Sequence, residues 1–436
     1  MKYEFEKLFR RKAVPIAAVL LLTVLYVILL FFGKYDTLSG IDIATFRKDK
    51  EYAAYLKSRK PEKVDAKWIA DLPERYKAYV DKNRMTEEET RQFFKDQEAE
   101  GMTFDYTPDE ALADPYNIDH AFGILKDEAY QSTEFEYWIQ DFEVYLPLAE
   151  DPVSYMKAHY ADMDRLWKKW DGITYMQSMG YSDRQTADFW RLVEKNYAGM
   201  SLTVGNSVGW DALTGDMQYL PYTLGIALII VLADLFSVER ASHMRDLART
   251  TPGGRKKLFR AKMKTAFLAT VCVWMVFQGA ALIAAAAGFT LEGSSCTVLT
   301  YNGEPSLYPM TWGQYYLSNC LFSLLGSLCF ALCVCLFSSL LPLRFSLPLQ
   351  LALTILAGMP IGNFDYEDKV FKWTDWLRAL TPAQFLASYP VFQVYQSFVF
   401  PTGVLRLPWM MGLAMAVETG IIFGILRGKE GWSIYK

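Results

Sequence analysis

Residues 13–32 read AVPIAAVLLLTVLYVILLFF, twenty residues without a charge, and that run decides the class of the whole chain. A helix rises 1.5 Å per residue, so about 20 such residues cross a hydrocarbon core of roughly 30 Å. Working outward, five further stretches are nearly free of charge: residues 220–236, 265–289, 315–341, 345–361 and 405–426. The second and fifth of the six are only marginally long enough. The chain is 52% hydrophobic and 15% aromatic, and its 22% of charged residues lie almost wholly between these runs. The sequence therefore predicts an all-α membrane protein with six transmembrane helices.

Charge gives the sidedness. Residues 34–219 hold 36 Asp and Glu against 23 Lys and Arg, so the remainder of a chain of net charge -4 is basic. Lys and Arg close to a span stay on the cytosolic side. Residues 1–12 carry Lys7, Arg10, Arg11 and Lys12 beside the first run, with Phe5, Leu8 and Phe9 at helical spacing, which reads as a cytosolic interfacial helix. The run itself is longer than a signal-peptide core and lacks a small-x-small cleavage site after it, so it is expected to be an uncleaved anchor.

The resulting expectation divides the chain into a cytosolic helix (1–12), span one (13–33), an extracytoplasmic domain (34–218), span two (219–237), a basic cytosolic hairpin (238–264) and spans three to six (265–436), with an external helical segment at 362–404. Both termini fall in the cytosol of a multi-pass plasma-membrane protein. The outer domain reads as mainly helical. Thr86 with Glu89, Ser182 with Gln185 and Thr107-Pro108 with Glu110 have the spacing of helix starts. It holds no cysteine, so it folds by packing alone. Five cysteines, Cys272, Cys320, Cys329, Cys333 and Cys335, lie in apolar runs as small apolar residues, and Cys296 lies in a loop.

Few residues carry chemistry. His120, His159 and His243 are far apart and in no metal-ligand spacing, and nothing points to a nucleic acid. Gly205-Asn206-Ser207-Val208-Gly209 matches the GxSxG of serine hydrolases, but no suitable helix is expected after it, and it reads as a flexible approach to span two. Thr251-Pro252-Gly253-Gly254-Arg255 lacks GxxxxGK[ST] and is not a P-loop, so no ATP or other cofactor is assigned to this chain. Three polar residues stand inside apolar runs: Asp234, Gln278 and Glu418. An intramembrane carboxylate is costly and faces a cavity or a partner. Asp234 is expected to pair with Arg240 or a neighbour, and Glu418 either to form an ion pair between helices or to line a pathway. The aromatic-rich segment 364–400 suits short amphipathic or re-entrant helices in the headgroup region, as an interface anchor or as a lateral gate for an amphiphilic substrate.

The hairpin is the most informative stretch. FSVERASHMRDLARTTPGGRKKLFRAKM, residues 236–263, joins two helical runs at a Pro-Gly-Gly break, a protruding shape suited to a soluble partner. It resembles the loop between the second and third spans of permeases of the type-2 ABC transporter family, with Phe236, Glu239, Arg240, Pro252, Arg255 and Lys262 at the matching positions. The resemblance covers the membrane part and leaves the outer domain unidentified. It implies an exporter permease for a peptide, lipid-like or drug-like amphiphile, without an ATP site of its own. A second permease subunit, same or related, and a cytosolic ATPase subunit that binds ATP would complete it in the lipid bilayer. Glu239, Arg240, His243, Arg245 and Arg255 become the ATPase-coupling candidates. The alternative is a membrane-anchored sensor or assembly protein whose outer domain binds a ligand or partner.

Overall fold

The computed structural model describes residues 13–32, 59–241, 254–298, 307–308, 310–358, 372–387, 389–392 and 395–431. The interfacial stretch 1–12 and the tip of the basic hairpin, with His243 and Arg245, lie outside the described residues.

The apolar half is a helical bundle. Helix α1 (Ala13–Phe32) buries one stripe, Val19, Thr23, Tyr26 and Leu30, spaced three and four residues apart, as a helix needs to pack on one side. Its other faces stay apolar and uncovered, with Val14 and Leu21 both 71% exposed. The same holds for Ile283, Leu317 and Ile421 on the other long helices and for Leu356 on a shorter one. A belt of exposed apolar side chains on this scale is unfavourable in water and is compatible with a membrane protein.

Among the described residues, four helices are long and apolar enough to cross a bilayer: α1 and three that follow below. The expected second span is instead a broken element. A helical pair spanning 208–219 and 221–237 is bent by 47°, and Pro221, which has no N–H to give, stands at the bend. The fifth expected span is a 16-residue helix, Leu343–Gly358, with Pro348 inside it. These are the two runs that the sequence marks as marginal.

Residues 59–218 are mainly helical, as expected. A two-residue antiparallel pair, β1 (Glu62–Lys63) with β2 (Thr203–Val204), closes the domain on itself. Between them run α2 (Ala66–Asn83), α3 (Glu87–Ala99), α4 (Pro108–Ala113), α5 (Thr133–Gln140), α6 (Pro152–Asp171) and α7 (Asp183–Tyr197) among shorter turns. All three helix starts read from sequence carry reciprocal capping boxes, which satisfy orphan N–H groups of the first turn. The core is aromatic: Tyr76, Phe94 and Phe135 in one cluster, Tyr160, Phe189 and Tyr197 in another.

The GxSxG run corrects its sequence reading. A helix, α8 (Val208–Gly215), does follow it, and the run is tightly packed rather than flexible. A Cβ at Gly209 would overlap the Thr290 carbonyl, and one at Gly293 would overlap that of Asn206. Asn206 Nδ2 donates to Thr290 Oγ1 at 2.7 Å. The glycines therefore serve the close approach of two loops.

After α8 come α9 (Ile226–Leu232), α10 (Asp234–Ala241), α11 (Gly254–Gly288), α12 (Trp312–Leu340), α13 (Leu343–Gly358) and α14 (Trp373–Ala379). A hairpin, β3 (Ser397–Phe400) with β4 (Gly403–Arg406), then leads into α15 (Leu407–Leu426). That hairpin departs from the all-α expectation. Phe398, Phe400 and Val404 favour a pleated surface, and Ser397 to Phe400 pair in register with Arg406 to Gly403. α12 is the centre of the bundle and touches α9, α10, α11, α13 and α15. The segment after α14 reaches deep into it: the Phe385 carbonyl rests on Gly326, halfway along α12, where a Cβ would overlap it. Gln384 Nε2 donates to the Ala357 carbonyl of α13 at 2.7 Å. All six cysteines are free.

Candidate functional site

The strongest candidate lies where the basic loop leaves the bundle. The helical run of α9 breaks at Ala233 and resumes as α10, and a break frees backbone groups that must find partners in an apolar interior. Three side chains supply them, of which Ser237 Oγ, one turn on, donates to the Ala233 carbonyl at 3.1 Å. Ser338 Oγ of α12 donates to the Ala233 carbonyl at 2.6 Å and accepts from the N–H groups of Phe236 and Ser237 at 3.1 and 3.2 Å. That uses all three hydrogen-bonding positions of a hydroxyl. Lys262 of α11 is 2% exposed and donates through Nζ to the Leu235 carbonyl at 2.6 Å. Its ammonium also lies 4.6 Å from the centre of the Phe236 ring, where the negative face of the ring offsets part of the cost of burying a charge.

The break is thus held from both neighbouring helices, and α10 carries the residues that open the basic loop. Asp234 begins α10, where a carboxylate meets the positive end of the helix. Glu239 and Arg240 sit on its last turns, although their side chains lie outside the described residues. Arg255, at the start of α11, donates through its Nη2 to the Lys429 carbonyl just beyond α15. The loop's far end is therefore fastened to the C-terminal end of the bundle.

The other two intramembrane candidates stand apart. Gln278 is buried on α11 and accepts from the Cys320 thiol at 3.8 Å, and among the described residues its amide nitrogen has no hydrogen-bond partner. Glu418 on α15 is half-buried, and among the described residues its neighbour is the Cys329 thiol at 4.0 Å rather than a base. Beside it, α11, α12 and α15 leave a groove of about 600 Å³ lined by Phe267, Leu328, Leu332 and Phe423 among other apolar residues. Among the described residues, Lys264 and Thr419 are its only polar lining residues.

A second constellation has no precursor in the sequence reading. Asp188 of α7 is 6% exposed and accepts a two-pronged contact from Arg406, the residue before α15, at 2.9 and 3.0 Å. Arg191 adds a bond at 2.6 Å, and the Tyr395 hydroxyl lies 3.1 Å away. Burial pushes the Asp188 carboxyl up, but the hydrogen bonds and charge of Arg406, with Arg191 and Tyr395, more than reverse this and hold it below the usual range. Tyr181 and Gln185 extend the contact by donating to the backbone carbonyls of Tyr395 and Ser397 at 2.7 and 2.8 Å. The helical domain is in this way latched to the entry of the last long helix. Residues more than 200 positions apart make this contact, so no local spacing could have revealed it. Lys262 could have been singled out, as a charge within a helix that continues into an apolar run.

Comparison with known proteins adds no relative: no family model matches the chain, and no curated protein and no solved structure matches it.

Proposed function

We propose that the chain is the membrane permease subunit of an ATP-driven exporter of the ABC type. A separate cytosolic ATPase subunit would act on the basic loop, and a second permease would complete the pathway. In this reading the four long helices, the bent pair around Pro221 and the short Leu343–Gly358 helix make six crossings. Both termini and residues 238–264 face the cytosol, and residues 34–218 form the outer domain. The observation that carries the reading is the break at Ala233 held by Lys262 and Ser338. A rigid hinge directly beneath a loop with nine Lys and Arg at 238–264 can pass a push on that loop to α11 and α12 together. The apolar groove beside Glu418 favours an amphiphilic cargo.

The test is purification of the full chain from its own host, with and without residues 242–253 replaced by a Gly-Ser linker. A soluble ATPase retained by the parent and lost from the variant is the expected result. The charge reversal Glu239→Lys with Arg240→Glu is expected to abolish export while leaving insertion intact. Retention of wild-type export by that double variant would overturn the reading. The sensor reading gains from one observation, a polar cavity in the helical domain.

A further inference from the structure

That cavity, of about 210 Å³, sits against the β1–β2 pair and α5. Its lining carries three bases, Arg59, Lys60 and Arg75, and three acids, Glu62, Glu134 and Asp141. The charges are not equally matched. Arg59 binds both oxygens of Asp141 at 3.0 and 3.2 Å, with the Asp141 side chain 4% exposed. Asp141 opens a five-residue π-helical segment, Asp141–Tyr145, a widened turn of a kind often found at functional positions. Arg75 pairs with Glu62 at 3.2 Å. Two charges on the wall remain unmatched: Glu134, half-buried, and the exposed Lys60 have no hydrogen bond or ion pair among the described residues. Desolvation raises the Glu134 carboxyl above the ordinary range, with Lys82 and Arg59 pulling it back. Trp138 completes the wall, with its indole N–H shielded from water and without an acceptor.

We infer that this cavity binds a small zwitterion of amino-acid size, its ammonium on Glu134 and its carboxylate on Lys60. An unpaired, partly desolvated carboxylate costs free energy that an incoming cation returns. A lone cation would meet three bases on the same wall and a lone anion three acids, whereas a zwitterion answers both. The cavity is below the 300 Å³ or more typical of drug-sized ligands. The inference is independent of the permease reading, because it concerns the helical domain alone.

The test uses the full chain in detergent and saturation-transfer NMR with the common L-amino acids at about 1 mM, the range expected of a site with few contacts. Each is compared with its N-acetylated and its C-amidated form. At least one free amino acid is expected to bind, and blocking either end or making Glu134→Gln or Lys60→Gln should weaken it about tenfold or more. Lys168→Gln, on an exposed face of α6, should leave binding unchanged. Absence of binding by every free amino acid overturns the inference. So does equal binding of the blocked forms, or equal binding by the Glu134→Gln and Lys60→Gln variants.

Discussion

Replacing Arg406 by Gln is expected to release the entry of α15 from the helical domain while both remain folded. Asp188 would keep Arg191, whose side chain is 74% exposed, and Tyr395, but would lose both bonds from the better-buried guanidinium, which is 22% exposed. Removing one partner of a buried pair costs about 3 to 5 kcal/mol. Partial exposure of Arg406 places this case at the low end, about 3 kcal/mol, or a little over a hundredfold in the opening equilibrium. Asp188→Asn should cost less, because the cations it strands reach water. The double variant should then be little worse than Asp188→Asn, giving a coupling of nearly the full ~3 kcal/mol of the Arg406 variant. Hydrogen exchange of peptides covering residues 395–407 reads this directly, since the Leu407 N–H donates to the Gln396 carbonyl at 2.8 Å and the β3–β4 ladder lies between. Exchange unchanged in the Arg406 variant, or strictly additive effects in the cycle, would refute the latch. The pH dependence has a defined sign. A carboxyl with a depressed folded pKa contributes stability that is fully present above its unfolded value, about 3.9. The contribution is lost as pH falls through the depressed value. The latch should therefore be constant from pH 5 to 8 and weaken only below about pH 4.

Gly326→Ala should unseat the segment that follows α14, because the added methyl meets the Phe385 backbone carbonyl. A cost of about 3 kcal/mol, the upper end for overpacking, should appear as new protease cleavage within residues 372–392. Lys262→Met and Ser338→Ala each strand backbone groups at the Ala233 break, at about 1 to 3 kcal/mol per buried group. On the permease reading proposed above, both variants should insert normally yet uncouple ATP hydrolysis from export, measured in vesicles with the ATPase subunit that this reading requires. Leu328→Trp fills part of the apolar groove and should lower export of an amphiphile about tenfold, equivalent to 1.4 kcal/mol, with ATPase retention unchanged on co-purification.

Much of this was legible along the chain. The apolar runs at 13–32, 265–289, 315–341 and 405–426 became long helices, because twenty uncharged residues satisfy their backbone only by helical bonds in apolar surroundings. The capping boxes at Thr86, Thr107 and Ser182 formed, because they depend on residues three apart. The marginal length of runs 220–236 and 345–361 was also visible, and both are irregular.

What sequence could not reveal was every contact made by closing long loops. The GxSxG run was taken for a flexible approach because nothing local records that Gly209 faces Thr290 and that Gly293 faces Asn206. The β3–β4 hairpin lay hidden in an aromatic-rich segment whose composition also suits an interfacial helix. Lys262 was one basic residue among nine until α10 placed the Leu235 carbonyl beside it. Composition and periodicity by themselves determined which segments are apolar helices and which carry charge, because burial of apolar area and helical hydrogen bonding are summed residue by residue. Only the tertiary structure decided where Asp188 meets Arg406, and where Glu134 and Lys60 face one cavity. A desolvated charge is tolerated according to its neighbours in space, and those neighbours come from distant parts of the chain.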